Sequence, residues 1–563
     1  MNIRSQWLAI VGLVLLILLL LPADWYPGSW RLFYADWLGT TTYSPPDKSR
    51  VTSPAEAPEF CAPDLKGWRP AQIIAGIEID ASPLCAADNP YAVAAFVKGT
   101  NQVSSDLLMR TRLAADAVTK GRDLDGDGDP DEIHIRLEVI ELNGTSPDQE
   151  ALTTQFEIAP GINPGLWVFA PKSSGMSTEN FISNIAYDGL RLPSPVIRVE
   201  QGDTVSITLE NSHYMPHTLH FHGVDHPFLD ADGEGNDGVP ATSEIPVMPG
   251  SARTYNMQPR QTGTMFYHCH VQPQVHVTMG LQGMFVIEEN RPNNWVQTFN
   301  TGAGLVRYRS KTSRQSYHRE YDLHYQNLHK GLSEQVQKSN DPRTVTKALH
   351  RQSNPGADAD YFTLNGRSFP YTLRESLIVT KPDERIKLRV LNGGSAAVAL
   401  HTHGHKVTIT HYDGVAHNEQ ARITRDVVSL APAQRLDLQL DTTNDGLHSY
   451  GDGIWPLHDH YPKGVTTAGI GPGGNVSAIV YESFLLANGW PDTRGVDLGV
   501  YFDADYYRKK IPVWQSYDPE HRFADVERSF TAQARLAVVA GLCGLVLGLI
   551  LNIGMTMINR WRS

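Results

Sequence analysis

Residues 195–209 read Pro195-Val-Ile-Arg-Val-Glu-Gln-Gly-Asp-Thr-Val-Ser-Ile-Thr-Leu209. Two short runs with β-branched residues at alternate positions flank Glu-Gln-Gly-Asp. The pattern predicts strand, turn, strand, with one face of the second strand apolar. Working outward, Ile133-His-Ile-Arg-Leu-Glu-Val-Ile140 alternates in the same way, and Gly283-Met-Phe-Val-Ile287 closes a first unit. A second unit begins at Tyr361-Phe-Thr-Leu364. It continues through Arg385-Ile-Lys-Leu-Arg-Val-Leu-Asn392, Lys406-Val-Thr-Ile-Thr410 and Asn475-Val-Ser-Ala-Ile-Val-Tyr481. Many short strands with regular turn signals predict β-sandwiches.

The two units carry related histidine motifs. His217-Thr-Leu-His220-Phe-His222-Gly aligns with Val398-Ala-Leu-His401-Thr-His403-Gly, and His268-Cys269-His270 aligns with His458-Asp459-His460. The second copy keeps the paired imidazoles but has lost the cysteine and the leading histidine. Imidazole suits copper, and a thiolate with two imidazoles is the donor set of a blue-copper centre. Eight paired imidazoles beside such a set suit a copper cluster fed by a blue copper.

At 563 residues the chain is too long for one core. A hydrophobic share of 41% with 19% charged residues is ordinary for a globular protein. The net charge of −13 gives no footprint for nucleic acid. Residues 7–22 form an apolar run that reads as a signal or a retained anchor, with Trp25 and Tyr26 at the interface. Residues 536–558 are uncharged and precede Arg560 and Arg562, which predicts a transmembrane helix. Basic residues at both ends place the termini in the cytoplasm and the rest outside it. Cys61 and Cys85 read as a disulfide of an oxidising compartment, or as two free thiols. Asp123-Leu-Asp125-Gly-Asp127-Gly-Asp129-Pro-Asp131 places carboxylates at alternate positions, as a calcium loop requires; a solvated acidic turn is the plainer reading.

The expected order is therefore an anchor or signal (1–25), a linker and cysteine-bearing appendage (26–125), a first β domain (126–290), a connector (291–360), a second β domain (361–485), a juxtamembrane segment (486–530) and a C-terminal membrane helix (531–563). The connector is weakly patterned, with helical character near 325–337.

The motifs resemble those of the multicopper oxidases. His217-Thr-Leu-His220-Phe-His222-Gly is similar to their H-x-x-H-x-H-G motif, and residues 268–281 to their cysteine motif. Asp237-Gly-Val-Pro240 and Gly263-Thr-Met-Phe-Tyr-His268 resemble further signatures of the family. The layout looks like that of the two-domain type with the blue copper in the first domain. The resemblance implies two cupredoxin-like Greek-key sandwiches, an all-β fold framed by the terminal helices. It also implies a laccase-like oxidase that couples one-electron oxidation of a donor to the reduction of O2 to water.

Carried over by motif, His217, Cys269 and His276 would hold the type 1 copper, with Leu281 at the axial position and unable to ligate. His220 and His401 would hold the type 2 copper. His222, His268, His270, His403, His458 and His460 would hold the type 3 pair, making about four copper ions per chain. The stretch from Cys269 to His276 is longer than the family's usual pattern and resembles that of copper nitrite reductases. Asp237 matches an acidic position near the type 2 copper and is the expected proton carrier; Asp225 is a weaker one. His213, His226, His405 and His411 are expected at the surface or behind the ligands. The relatives imply a homotrimer whose clusters form between neighbouring chains. The expected setting is the cytoplasmic membrane of a bacterium, with the copper domains on the periplasmic side. The donor could be a phenol, a metal ion or a periplasmic cytochrome. The competing readings are a copper nitrite reductase, a copper-storage or delivery protein, and a copper-bearing subunit of a membrane complex.

Overall fold

In the computed structural model of the chain, the described residues are 117–126, 129–144, 156–172, 191–290, 296, 298–301, 304–308, 317–337, 359–486, 489–493, 496, 498–508 and part of 541–560, with three short strands between 72 and 96. Contacts divide the chain into one unit of residues 48–494 and a second made of the two ends, 1–47 with 495–563. The paragraphs below concern the first unit unless stated.

Four principal sheets build this unit. The first has Glu132–Leu142 paired to Val118–Lys120, Leu166–Pro171 and, in parallel, Thr204–Glu210, with Ala252–Met257 beyond. Thr204–Glu210 obeys the predicted alternation: Val205, Ile207 and Leu209 are buried, and Thr204, Ser206 and Thr208 face away. The second sheet has six strands in the order 94–96, 299–301, 196–200, 282–288, 263–268 and 220–222. Between these two sheets lies one apolar core that includes Ile135, Leu137, Phe169, Ile197, Ile207, Phe221, Tyr267 and Phe285.

The second domain repeats the plan. An eight-stranded sheet contains Arg319–Leu328, Arg385–Asn392, Arg435–Asp441 and Val407–Tyr412. A five-stranded sheet contains Ile378–Thr380, Ser477–Tyr481, Ile454–Asp459, Val398–Thr402 and Val427–Leu430. Leu323, Leu388, Val390, Leu400, Val428, Leu438, Leu457 and Ile479 fill the space between them.

One difference from the sequence reading matters for the architecture. Residues 319–328 fall in the weakly patterned connector, yet they form a ten-residue strand, parallel to Arg385–Asn392. Among the described residues of the connector, helix is confined to Lys330–Gln337. Tyr321-Asp-Leu-His-Tyr-Gln326 alternates, with Tyr321, Leu323 and Tyr325 in the core of the second domain, but Asp322 and His324 turn to Arg198 and Gln282 of the first domain, so the polar face is buried as well. The same holds for Gln282–Glu288, Gly263–His268 and Val196–Glu200, each buried along its length.

The reason is the junction between the domains. The second sheet of the first domain lies against the eight-stranded sheet of the second. Val196, Phe266, Met284 and Val286 meet Leu391 there in a small apolar cluster. Beside it runs a buried ionic network. Arg198 donates to Glu288 (2.8 Å), Glu320 (3.3 Å) and Asp322. Arg389 donates to Glu320, to Asp437 (3.2 Å) and to Thr264 Oγ1 (3.2 Å), and Thr264 in turn donates to Asp437. Burial alone would raise the Asp437 carboxyl; Arg389 and Lys387 outweigh it and hold that carboxyl below the usual range. The backbones also close tightly at this seam. A Cβ on Gly263 would stand 2.8 Å from Gly414 Cα, across the junction.

The proposed anchor at 1–25 and the cysteine pair Cys61 and Cys85 lie outside the described residues, as does Asp127. Among the described residues no helix is long and apolar enough to cross a membrane. The described positions within 541–560 are helical, and Leu542, Leu549, Met555 and Met557 among them are exposed.

Removing one partner of a buried ionic network leaves charges unpaired. Arg389→Met should destabilise the chain by about 3–5 kcal/mol in chemical denaturation. A loss under about 1 kcal/mol would show that the seam is held by its apolar cluster alone.

Glu141 gives a pH signature. It is buried, its Oε1 has no hydrogen-bond partner, and burial pushes its carboxyl up to about 8. The folded chain therefore favours the protonated acid. That stability is complete below the unfolded value near 4.5, declines as pH rises, and is gone above about 8. Glu141→Gln should match the parent near pH 5 and exceed it by roughly 5 kcal/mol at pH 9. Equal unfolding curves at both pH values would refute the assignment.

Candidate copper centres

The strand pleat sorts the histidines. Successive side chains of a strand point to opposite faces. Phe221 therefore enters the core of the first domain, while His220 and His222 stand on the other face. Cys269 likewise turns into the core and His268 and His270 turn out. Gly263–His268 pairs with His220–His222 so that His268 lies opposite His220. One short motif thus supplies an inner donor and two outer donors, back to back.

The inner group is His217, Cys269 and His276, all fully buried and with donor atoms within 4.8 Å of one another. Cys269 Sγ is 3.3 Å from His276 Nδ1 and 3.7 Å from His217 Nδ1. Burial pushes the Cys269 thiol up to about 11 and lowers the His276 imidazole to about 3. His217 is also lowered, by burial first and then by His213 and His276. Neutral imidazoles with free lone pairs beside a thiol that a cation would deprotonate are a donor set that fits copper. His276 Nε2 is buried without a hydrogen-bond partner, leaving only Nδ1 facing the sulfur.

His276 is carried by the helix Pro273–Met279, which the sequence pattern did not predict. Its cues were present: Pro273 begins the helix and Gly280 ends it. Gly280 has φ 118°, and a Cβ there would stand 2.6 Å from the Trp167 carbonyl oxygen, so the stop requires glycine. The backbone then returns to the sulfur. Cys269 N–H donates to the Leu281 carbonyl (3.1 Å), and Leu281 N–H donates to the His276 carbonyl (3.0 Å). Leu281 is fully buried in the same core, as are Met279 and Met284 in the clusters around it. The Trp167 ring, which sequence reading did not single out, meets His276 edge-on at 5.1 Å and His213 at 4.9 Å. His213 Nδ1 lies 2.9 Å from His217 Nε2, behind the inner group.

The outer groups form two sets with one scheme. In the first, His220 Nδ1 meets the Asp237 carbonyl (2.7 Å) and His268 Nδ1 meets the Cys269 carbonyl (2.9 Å). His222 Nε2 and His268 Nε2 are 3.0 Å apart. In the second, His401 Nδ1 meets the Asp426 carbonyl (3.0 Å) and His458 Nδ1 meets the Asp459 carbonyl (3.0 Å). His403 Nε2 and His458 Nε2 are again 3.0 Å apart. A carbonyl can only accept, so each Nδ1 carries the proton and each Nε2 lone pair is left for a metal. Burial lowers His222 to about 4 and His268 to about 3. His270 and His460 close the sets through ring contacts with His220 and His268, and with His401 and His458. His220, His222 and His268 also form a compact donor group. All the ring contacts among these eight histidines stay inside one set, so the two sets do not meet within the chain.

Asp237 supports the first set. Its Oδ1 is 3.1 Å from His226 Nε2 and 3.3 Å from His220 Nδ1. Gly238 makes this possible: φ is 74°, and a Cβ there would stand 1.9 Å from the Leu219 carbonyl oxygen. Asp225 instead pairs with Arg260 at 2.8 Å. His405 meets Tyr481 Oη (3.0 Å), and His411 lies 3.6 Å from Asp437 in the seam.

Residues 179–292 match the multicopper oxidase family, and residues 322–451 match it a second time. The chain is 25% identical over 269 residues to copper resistance protein A of Pseudomonas syringae pv. tomato, covering 45% of this chain and 42% of that protein. It is 26% identical over 292 residues to the multicopper oxidase mco of Staphylococcus aureus, covering 50% and 54%. Among solved structures, the blue copper oxidase from Nitrosomonas europaea is 25% identical, with 66% of this chain and 92% of that chain covered and a TM-score of 0.46. The match spans about half or less of the curated relatives' length. Two tandem matches that enclose most of the histidine motifs described above give the chain two multicopper oxidase domains.

Proposed function

We propose that this chain is a membrane-anchored copper oxidase that couples one-electron oxidation of a donor to the four-electron reduction of O2 to water. The observation that carries the reading is the repeated histidine scheme. Two sets share the same Nδ1-to-carbonyl bonds and the same facing Nε2 pair, beside one buried Cys/His/His group.

His217, Cys269 and His276 would hold the type 1 copper, with Leu281 as a non-ligating axial neighbour. His220 and His401 would hold the type 2 copper, and the remaining six outer histidines the type 3 pair. Copper bound there supplies single-electron acceptance at the sulfur and multi-electron reduction of O2 at the imidazoles. The chain's own residues do the rest. Cys269 is covalently flanked by His268 and His270, and its carbonyl is bonded to His268 Nδ1, so the inner and outer groups are joined through a few bonds. Asp237 stands between His226 and His220 and can pass a proton toward the outer set. The donor belongs to the class of phenols, reduced metal ions or periplasmic cytochromes.

Each histidine set is half a site, and the halves lie apart in one chain. A second copy can supply the missing half if neighbouring chains are arranged head to tail, and a ring of three closes such an interface. The uncharged run 536–558, followed by Arg560 and Arg562, supports an anchor in a bacterial cytoplasmic membrane with the copper domains outside the cytoplasm.

Detergent-solubilised protein should carry about four copper ions per chain, show a blue absorption band and a type 2 EPR signal, and sediment as a trimer. Cys269→Ser should abolish the blue band. His458→Ala should keep the band and lose O2 reduction. About two copper ions per chain, with nitrite reduced in place of O2, would move the assignment to a nitrite reductase.

Asp237→Asn keeps the shape and removes the base. Turnover with O2 should fall on the order of 100-fold while the blue band stays unchanged. Unaltered turnover would remove Asp237 from the proton path.

A further inference from the structure

The loop Asn211-Ser-His-Tyr-Met-Pro-His217 joins the end of Thr204–Glu210 to the first inner histidine, and one side chain shapes it. Asn211 Oδ1 accepts from His213 N–H (3.0 Å), and Asn211 Nδ2 donates to the Met215 and Val247 carbonyls (2.7 Å each). His217 closes the loop by exchanging two backbone bonds with Val247 (3.1 and 2.8 Å). The chain thus folds back and sets the His213 ring against the His217 ring, with centroids 5.0 Å apart. Tyr214 and Trp167 hold the His213 ring from two further sides, at 4.1 and 4.9 Å. Both histidines are buried.

Within that packing the hydrogen bonds decide where each proton sits. His213 Nδ1 is 3.3 Å from the Met215 backbone nitrogen and 2.9 Å from His217 Nε2. A backbone N–H only donates, so His213 Nδ1 is an acceptor and carries no proton. His217 Nε2 is then the donor of the second bond. A neutral imidazole carries one ring proton, so the lone pair of His217 is on Nδ1. That nitrogen faces Cys269 Sγ at 3.7 Å. His276 has no counterpart, because its Nε2 is buried with no hydrogen-bond partner.

We propose that His213 is a positioning residue for the inner group. It accepts the hydrogen bond of His217 Nε2–H, fixes the tautomer that turns Nδ1 to Cys269, and lowers the reduction potential of the copper held there. The effect on potential rests on the type 1 assignment of His217, Cys269 and His276. An acceptor on the remote N–H makes an imidazole more basic, and a more basic ligand favours copper(II) over copper(I).

The test uses the full chain in detergent, copper-loaded, with redox titration of the blue band and pulsed EPR of the remote imidazole nitrogens. The parent should show two unlike remote nitrogens, one of them hydrogen-bonded. His213→Leu removes the acceptor. Copper(II) should lose about tenfold in affinity relative to copper(I), which for one electron raises the potential by about 59 mV, and the hydrogen-bonded nitrogen signal should change. His213→Asn places an amide oxygen near the Nδ1 position and should keep both readouts at the parent values. An unchanged potential in His213→Leu, or equal shifts in both variants, overturns the proposal, since the side chain then only fills space. Where His213→Leu does not fold, the Asn variant decides in the same way: parent values support the acceptor role and altered ones overturn it. The tautomer is also read without copper. In the copper-free chain labelled with 15N-histidine, His217 should be protonated at Nε2, its signals assigned by their loss in His217→Gln. Protonation at Nδ1 overturns the proposal, whereas a parent without a blue band counts against the type 1 assignment alone.

Discussion

Arg198 and Arg389 are placed where no single domain could satisfy them. Each is almost completely buried, and each finds its carboxylates partly across the junction. A guanidinium taken out of water needs its counter-charges in place, and the desolvation cost is met only in the assembled pair. Neither domain can therefore hold this face alone without exposing apolar strands and stranding charges. The two histidine sets inherit their positions from that constraint. One stands at the edge of a sheet that abuts the seam, and the other on the sheet farthest from it.

The chemistry is sorted by the strand period. An inner sulfur flanked by outer imidazoles is what alternation delivers when His-Cys-His ends a strand that covers a core. No loop design is needed to put a thiol in an apolar pocket and two imidazoles on the opposite side. What loops contribute is closure: the helix Pro273–Met279 brings His276 to the sulfur, and the Asp237-Gly238 turn brings a carbonyl to His220.

Much of this was readable from residue order. The half-exposed strands announced themselves by alternation, as in Val205, Ile207 and Leu209, and the duplicated motifs marked both histidine sets. The parts that escaped share a physical cause. Residues 321–326 do alternate, but their polar face is buried at the junction through Asp322 and His324, a burial that depends on Arg198 and Gln282 far away in the chain. The short helix after Cys269 has too few residues for a helical period to emerge. Trp167 matters through contacts with His213 and His276, made far along the chain, and no local pattern encodes such a meeting. The same is true of Arg198, whose partners are Glu288, Glu320 and Asp322.

Asp459 occupies in the second copy the place that Cys269 holds in the first. Its Oδ1 accepts from the backbone of Ala399 (2.9 Å) and of Tyr461 (3.0 Å), and its own N–H donates to Asn475 (3.1 Å). A position that holds a thiol in one half of the duplication is, in the other, a clasp between a strand and the turn that follows the histidine pair. A cysteine placed there would not rebuild the first copy's Cys/His/His group. Val398 gives no imidazole, and the swap would undo the clasp that sets His458 and His460. The two copies thus differ in kind: the first carries a buried sulfur among its imidazoles, and the second holds its imidazoles in place with a carboxylate.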